Sequence, residues 1–463
     1  MKPVTTQTLV ADRLTPVAAY AALRRADAGP SFLLESVVSG ERWGRYSILG
    51  YRPRREVVLG APAVGQRLAS GDPFSELAKQ IALGAEDAEP DMAARFARAH
   101  VGYLAYDLVH FTTKVDRWAE HQPLARFVSE ATVVVFDNLR QTVTIASTDP
   151  GEVERARHDL EKGANLHALA TPDPTAVPGD VDVLMDDATY EAKALRAKEY
   201  IAAGDAFQIQ LGRTMMTPAG TTDPFDVYRS LRVLSPSPYM YFVDFPAKDG
   251  APSLQIAGAS PETLVRVEDG TATVRPLAGT RRRGRTPAED AELAAELLAD
   301  PKELAEHVML IDLARNDVGR IAETGSVKVP IQVKIERFSH VMHIVSEVSG
   351  KVAPTTPPLE VLRAAFPAGT LSGAPKVRAM QISRELEDRP RGIYGGAIGY
   401  VAATGDLDFA IAIRTAVLKD DVFTVTAGAG IVEASVPASE AEETWNKARG
   451  VLCAIEAATP GAG

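Results

Sequence analysis

Two acidic stretches hold the side chains of this sequence with the most chemistry in reach: "DPKELAEHVMLIDLARND" (300–317) and "ASEAEETWNKA" (438–448). A capping box explains part of each. Asp300, Pro301 and Glu303 read as N-cap, N1 and N3 of one helix, and Ser439, Glu440 and Glu442 repeat the pattern for another. Acids in a first turn also suit the helix dipole. Glu306 and Glu443 are left over. Glu443 can be an ordinary i,i+4 partner of Lys447, and Glu306 with Asp312 can pair with Arg315. The functional alternative is that Glu306 and Glu443 converge from two helices on one hard cation. Carboxylates whose shell is completed by water and substrate oxygens are how Mg²⁺ is usually held. From Leu304 to Ala314 the first helix is apolar on nearly every side, so it is expected to be buried. A buried carboxylate then needs a hydrogen bond, an ion pair or a cation. A ferritin-type di-iron site fits less well, because His307 directly follows Glu306 where Glu-x-x-His is required.

Glycine supplies weaker candidates. "FPAGTLSGAPK" (366–376) has the wrong spacing to Lys376 for a phosphate loop. In "TAGAGIV" (426–432) small residues let backbone N–H groups meet an anion, although glycine at a strand end more often marks a bulge.

The elements that must carry these residues follow from pattern. "AFQIQLGRTMM" alternates Phe207, Ile209 and Leu211 with Gln208 and Gln210, a strand with one amide-bearing face. Before it, 187–205 is an Asp-capped, Ala-rich helix. "ATVVVFDNLRQTVTIAS" (131–147) and "ETLVRVEDGTATVRPLA" (262–278) read as hairpins, the second around Asp-Gly. Thr286, Pro287 and Glu289 open another helix. "YGGAIGYVAA", "LDFAIAIRTAVLKD" and "VFTVTAGAGIVEA" read as three consecutive strands. The stretch 163–183, rich in Pro, Gly and Asp, reads as a linker between an N-terminal region (1–162) and a C-terminal body (184–463). The class is α+β, with the two halves intertwined.

Composition excludes much else. The chain has 463 residues, 46% hydrophobic and 24% charged, with a net charge of −11. That charge argues against nucleic acid as the main partner. No window approaches a membrane span, and "MKPVTTQTLVADRL" lacks the apolar core of a secretory signal. A cytoplasmic protein is expected. The one cysteine, Cys453, lies in the apolar pattern of the last helix, which leaves no disulfide framework and no thiol nucleophile. The arginines at 281–285 read as a solvated loop with one structural pair.

Taken in order, "PLAGTRRRG", "ELLADPKELAEHVMLIDLARND", "HVMHIVS", "FPAGTLSGAPK", "IYGGAIGY" and "TAGAGIV…SEAEETWNKA" resemble the chorismate-utilising enzymes. The nearest branch is component I, the large subunit, of the anthranilate synthases. The resemblance is dense over roughly 190–455 and extends through "FLLESVVSGERWGRYSILG" (32–50). It implies two packed antiparallel β-layers flanked by helices, and a Mg²⁺-dependent reaction on chorismate in the cleft between them. By this resemblance Glu306 and Glu443 are cation ligands, with Glu303 and Glu440 nearby. Gly428, Gly430 and Lys447 lie beside the ring carboxylate, and Tyr394 and Arg414 grip the enolpyruvyl carboxylate. Tyr394 as core and Arg414 as a strand-face ion pair stay open. Glu262 in "GASPE" resembles the general acid, and His343 the histidine associated with pyruvate loss. Thr280 and Thr370 resemble ring contacts.

Two positions narrow the chemistry. Where water-adding relatives carry a lysine base, this chain has Gln208, which favours ammonia as nucleophile. Where 4-amino-4-deoxychorismate synthases commonly have the lysine of "PIKGT", "PLAGT" has Ala278, which favours direct addition at C2. With no suitable cysteine, ammonia is expected from a glutamine amidotransferase subunit. "LLES" and "SPSPYM" resemble a tryptophan feedback site, with Leu34, Ser36, Pro238, Tyr239 and Met240 as contacts. Departures are Ser235 for the usual Asn, and "AFQIQLGRT" for "FQVVLSQRF", which the sequence does not explain. Two alternatives stay open: an enzyme making 4-amino-4-deoxychorismate or stopping at 2-amino-2-deoxyisochorismate, and a non-catalytic tryptophan-binding regulator.

Overall fold

A computed structural model describes residues 3–461 apart from 27–28, 37–43, 63–65, 67, 69–70, 82–90, 120–122, 165, 249 and 339–340. Positions 37–43 of the 32–50 motif and His340 of "HVMH" therefore lie outside the described residues.

The alternating runs form two sheets. One is 12-stranded: Thr5–Val10, Thr142–Ser147, Thr132–Asp137, Tyr46–Tyr51, Ser31–Glu35, Tyr239–Phe245, Leu254–Ser260, Thr415–Lys419, Val422–Ile431, Gln208–Pro218 and Gly373–Ala374 follow edge to edge, and Asp182–Val183 pairs off this path. The other is 10-stranded. It runs Leu277–Arg282, Val341–Lys351, Thr271–Val274, Thr263–Glu268, Leu407–Ile411, Ala397–Val401, His100–Leu104, Ala125–Ser129 and Arg55–Leu59, with Lys328–Arg337 added on Val341–Lys351. Pairing is antiparallel throughout the described strands. Strands from before residue 163 enter both sheets, through Ser31–Glu35 on Tyr239–Phe245 and His100–Leu104 on Ala397–Val401. One apolar core joins the layers, Phe32, Ile48, Tyr241 and Ile256 from the first meeting Val101, Tyr103, Ile398 and Ala410 from the second. Helices cover the outer faces, as expected for this α+β class.

Several local expectations need correction. "LDFAIAIRTAVLKD" is two strands: Leu407–Ile411 belongs to the 10-stranded sheet and Thr415–Lys419 to the 12-stranded one. Arg414 sits at the crossing with φ of 52°, an αL conformation that a non-glycine residue holds only when its surroundings enforce it. The last helix begins at Pro437 with Val436 at the N-cap, so Ser439 lies inside its first turn and closes no box. Proline at N1 explains the earlier start, its fixed φ being ready-made for a helix. The helix Pro301–Gly319 is amphipathic and not buried all round: His307, Leu310 and Ile311 are inside while Val308 is 48% exposed. Asp312 does pair with Arg315, at 3.1 Å on the surface, and Glu306 is not part of that pair. The 281–283 arginines make several structural pairs, Arg281 with Glu296 and Asp300, Arg282 with Glu289, and Arg283 with Asp290. Asp300 and Thr286 cap their helices as expected.

Candidate active site

Two sheet crossings place polar groups in the gap between the layers. Between Leu254–Ser260 and Thr263–Glu268 the chain passes from the first sheet to the second, with Glu262 in the turn. The return crossing carries Arg414. A cleft of about 750 Å³ opens there, and every residue expected to contact ring or cation lines it: Gln208, Glu262, Thr280, Glu303, Glu306, His343, Thr370, Tyr394, Arg414, Gly428, Gly430, Glu440, Glu443 and Lys447.

Its floor is the antiparallel pair Gln208–Pro218 and Val422–Ile431, with Gln210 opposite Gly430 and Gly212 opposite Gly428. The register is regular there, so neither Gly428 nor Gly430 marks a bulge. Gly212 gives its N–H to Glu387 Oε1 at 2.8 Å, off the ladder. Gly212–Gly428 is thus a non-hydrogen-bonded pair, and alternation turns the amides of Gly428 and Gly430 away from the partner strand. Lys447 Nζ donates to the outward carbonyl of Gly428 at 3.0 Å. Neither glycine has room for a side chain. A Cβ at 428 would lie 2.7 Å from the Tyr394 hydroxyl, and one at 430 would lie 2.5 Å from Gln208 Nε2. At "QLGRT" buried Arg213 ties Thr444, Asp187 and the Ala441 carbonyl together.

Glu262 is buried, and its Oε1 accepts from Thr370 Oγ1 at 3.0 Å. Burial pushes its pKa up to about 8, against the opposing pull of Thr370 and Lys447. It is therefore a protonated acid near neutral pH. On the opposite wall, the bulge at Ala278/Thr280 brings His343 opposite Thr280. His343 Nδ1 lies 3.0 Å from the Gly279 carbonyl and 3.1 Å from Thr280 Oγ1. The carbonyl can only accept, so the network assigns the proton to Nδ1 and leaves the Nε2 lone pair free. Burial lowers the His343 pKa, which keeps the ring neutral. Ala278 lines the cleft with no amine.

The acids and cations complete the site. Gln208 Nε2 donates to Glu306 Oε1 at 2.9 Å. Burial raises the pKa of Glu306, and burial also raises that of Glu440, with neighbouring carboxylates adding to both. Glu443 pairs with Lys447 at 2.5 Å, and Glu303 lies 3.6 Å from Arg281. Among the described residues no three His, Cys, Asp or Glu side chains form a ready cation cage. What is present is an open set of carboxylates, Glu303, Glu306, Glu440 and Glu443, facing one cleft. That set suits a hard cation taking its remaining ligands from water and substrate oxygens. Arg414 has no ion-pair partner within 4.0 Å among the described residues, and burial lowers its pKa. Such a guanidinium is a receptor for an anion. Burial pushes the Tyr394 pKa up to about 12, and its hydroxyl bonds Gln210.

Sequence reasoning missed Lys302 and Asn446, which also line the cleft. Lys302 had a signal: a cation in the first turn opposes the helix dipole.

A separate cavity of about 320 Å³ contains Leu34, Ser36, Pro238, Tyr239 and Met240. Ser36 Oγ is buried in it with no hydrogen-bond partner among the described residues. Arg266 and Asp408, paired across strands, also line this cavity and were not foreseen. Burial pushes Asp408 up to about 6. Ser235 caps the helix Pro224–Leu234 and does not line the cavity.

Residues 31–452 match the family described as chorismate binding enzyme. Anthranilate synthase component 1 of Pseudomonas aeruginosa is 44% identical, over 98% of this chain and 95% of its own. The protein of the same name from Acinetobacter calcoaceticus is 42% identical over 99% and 96%. The crystal structure of anthranilate synthase component I from Streptococcus pneumoniae TIGR4 superposes with a TM-score of 0.75 at 35% identity, covering 96% of this chain and 99% of that one.

Proposed function

The chain belongs to the chorismate-binding enzyme family, and from that premise we propose that it is the catalytic component of an anthranilate synthase. The reaction is chorismate plus ammonia giving anthranilate, pyruvate and water. The observation that carries it is a buried Glu262, held by Thr370, facing the same cleft as His343, whose Nδ1 is turned to the Gly279 carbonyl. Arg414 and the Tyr394 hydroxyl bind the enolpyruvyl carboxylate. Lys447 and the amides of Gly428 and Gly430 hold the ring carboxylate. Glu262, oriented by Thr370, gives its proton to the C4 hydroxyl as that oxygen leaves. Gln208 cannot deprotonate water, and ammonia needs no base to attack C2. His343 Nε2 then takes the C2 proton as the C3–O bond breaks, and the ring becomes aromatic. Glu306 and Glu443, with Glu303 and Glu440 near, would hold Mg²⁺. When bound, that ion supplies positive charge to the ring carboxylate.

Ammonia comes from a glutamine amidotransferase partner in this reading. Cys453 is fully buried, with its thiol pKa raised by burial, so this chain offers no thiolate for glutamine hydrolysis. We further propose that the cavity around Ser36 takes tryptophan as feedback inhibitor, its orphaned hydroxyl being one contact.

Purified protein incubated with chorismate, Mg²⁺ and ammonium tests the reaction. Anthranilate fluorescence with one pyruvate per anthranilate is expected. An amino-diene without pyruvate would reassign the chain to a synthase that stops at 2-amino-2-deoxyisochorismate or makes 4-amino-4-deoxychorismate. No conversion, with tryptophan still bound, would leave a regulatory protein.

A further inference from the structure

Elimination splits one substrate into two carboxylates that must both leave. The same face of the floor strands continues beyond the cleft. Opposed residues of an antiparallel pair share a face, so Thr214 and Thr426, then Met216 and Thr424, extend the row begun by Gln210–Gly430 and Gly212–Gly428. A second cavity of about 310 Å³ lies on this extension. Tyr394 and Thr426 line it and the cleft alike, and Tyr394 lies over the Gly212–Gly428 pair as the partition.

The lining is chemically specific. Thr214 and Thr426 hydroxyls meet at 2.9 Å beside the partition. Thr424, Val417, Val422 and Ile393 add a hydroxyl and methyl groups. At the outer end Arg389 is exposed, and no carboxylate lies within ion-pair distance of it among the described residues; its guanidinium donates to Met216 Sδ at 3.7 Å. Lys419 pairs with Asp420 at 3.7 Å. Arg391 is neutralised by Glu387. One uncompensated guanidinium, Arg414, thus lies in the cleft, and another, Arg389, at the far end of the adjoining cavity. Hydroxyl donors lie between them.

We propose that this second cavity is the exit site for the three-carbon 2-oxo acid, resting on the reaction assigned above. The leaving carboxylate is held by Arg414 and Tyr394, at the partition, whereas the aromatic acid stays at the Lys447 end. A small anion passes Tyr394 toward Arg389, and neither product has to wait for the other. A cationic mouth favours an anion over ammonia or ammonium.

Single turnover with enzyme in excess over chorismate, Mg²⁺ and ammonium present, separates the products. Anthranilate is read by fluorescence, free pyruvate by excess lactate dehydrogenase, and total pyruvate after acid quench. In the wild-type chain the three traces coincide. Thr424→Phe, which fills only the second cavity, is expected to delay free pyruvate several-fold while total pyruvate still follows anthranilate. Arg389→Glu, at the surface, keeps the test open should the first variant misfold. It is expected to weaken inhibition by added pyruvate about fivefold, the worth of roughly one exposed ion pair. Coincident traces in both variants with unchanged pyruvate inhibition overturn the exit site. A raised KM for ammonium in Thr424→Phe with coincident traces also overturns it, in favour of nucleophile entry. A wild-type chain that makes neither product overturns the underlying reaction, and this site with it.

Discussion

Glu262 concentrates the residue-scale chemistry, because its proton must be present at working pH and its carboxyl must face the substrate. Burial supplies the first condition and Thr370 the second. Its pKa rises from 4.5 to about 8, so turnover is expected to fall as pH climbs through about 8. Linkage gives a second consequence. A group whose folded-state pKa is raised contributes stability that is full below the unfolded value and lost as pH rises through the folded value. Glu262→Gln removes that loss. Its Tm relative to wild type should therefore improve steadily from about pH 5 to pH 8, while turnover drops by about 10²- to 10⁴-fold. A Tm difference that does not change with pH would show that Glu262 is ionised in the folded protein.

Arg414 makes the argument at the scale of elements. It sits where one strand run breaks to change sheets, with αL backbone and no ion-pair partner among the described residues. Glycine adopts that backbone freely, so Arg414→Gly should keep or raise Tm while raising the KM for chorismate by about 100-fold, the value of a lost charged hydrogen-bond pair. A fall in Tm without a KM effect would make Arg414 structural. This break was illegible in the sequence, because "LDFAIAIRTAVLKD" resumes its apolar residues directly after Arg414 and Thr415, and a change of sheet leaves no local trace. Local signals were read correctly: the Thr286 and Asp300 caps depend on side chains reaching N–H groups two or three residues away. Ser439 misled because Pro437 started the helix earlier. The convergence of Glu306, His343, Arg414 and Glu443 on one cleft was legible only through ordered motifs, since their spacing along the chain carries no geometry. Lys302 was missed although it stands inside one of those motifs, and the Arg266–Asp408 pair lay outside them.

At the scale of the whole molecule, the two cavities are built on the same two sheets. Tyr239 lines the Ser36 cavity, and its hydroxyl lies 2.9 Å from Thr263 Oγ1, the residue after Glu262. Ser36→Phe should fill that cavity, abolish tryptophan inhibition and leave basal turnover within about twofold, as expected of a substitution remote from the chemistry. Unchanged inhibition would place the inhibitor elsewhere. The central claim remains that Glu306 and Glu443, far apart in sequence, act together on one divalent ion. The most direct measurement is anthranilate formation across a Mg²⁺ titration for wild type and Glu443→Gln, with circular dichroism of both. We expect a saturable Mg²⁺ dependence in the wild type and none in a folded variant. A Glu443→Gln protein that keeps Mg²⁺-dependent turnover would contradict the account.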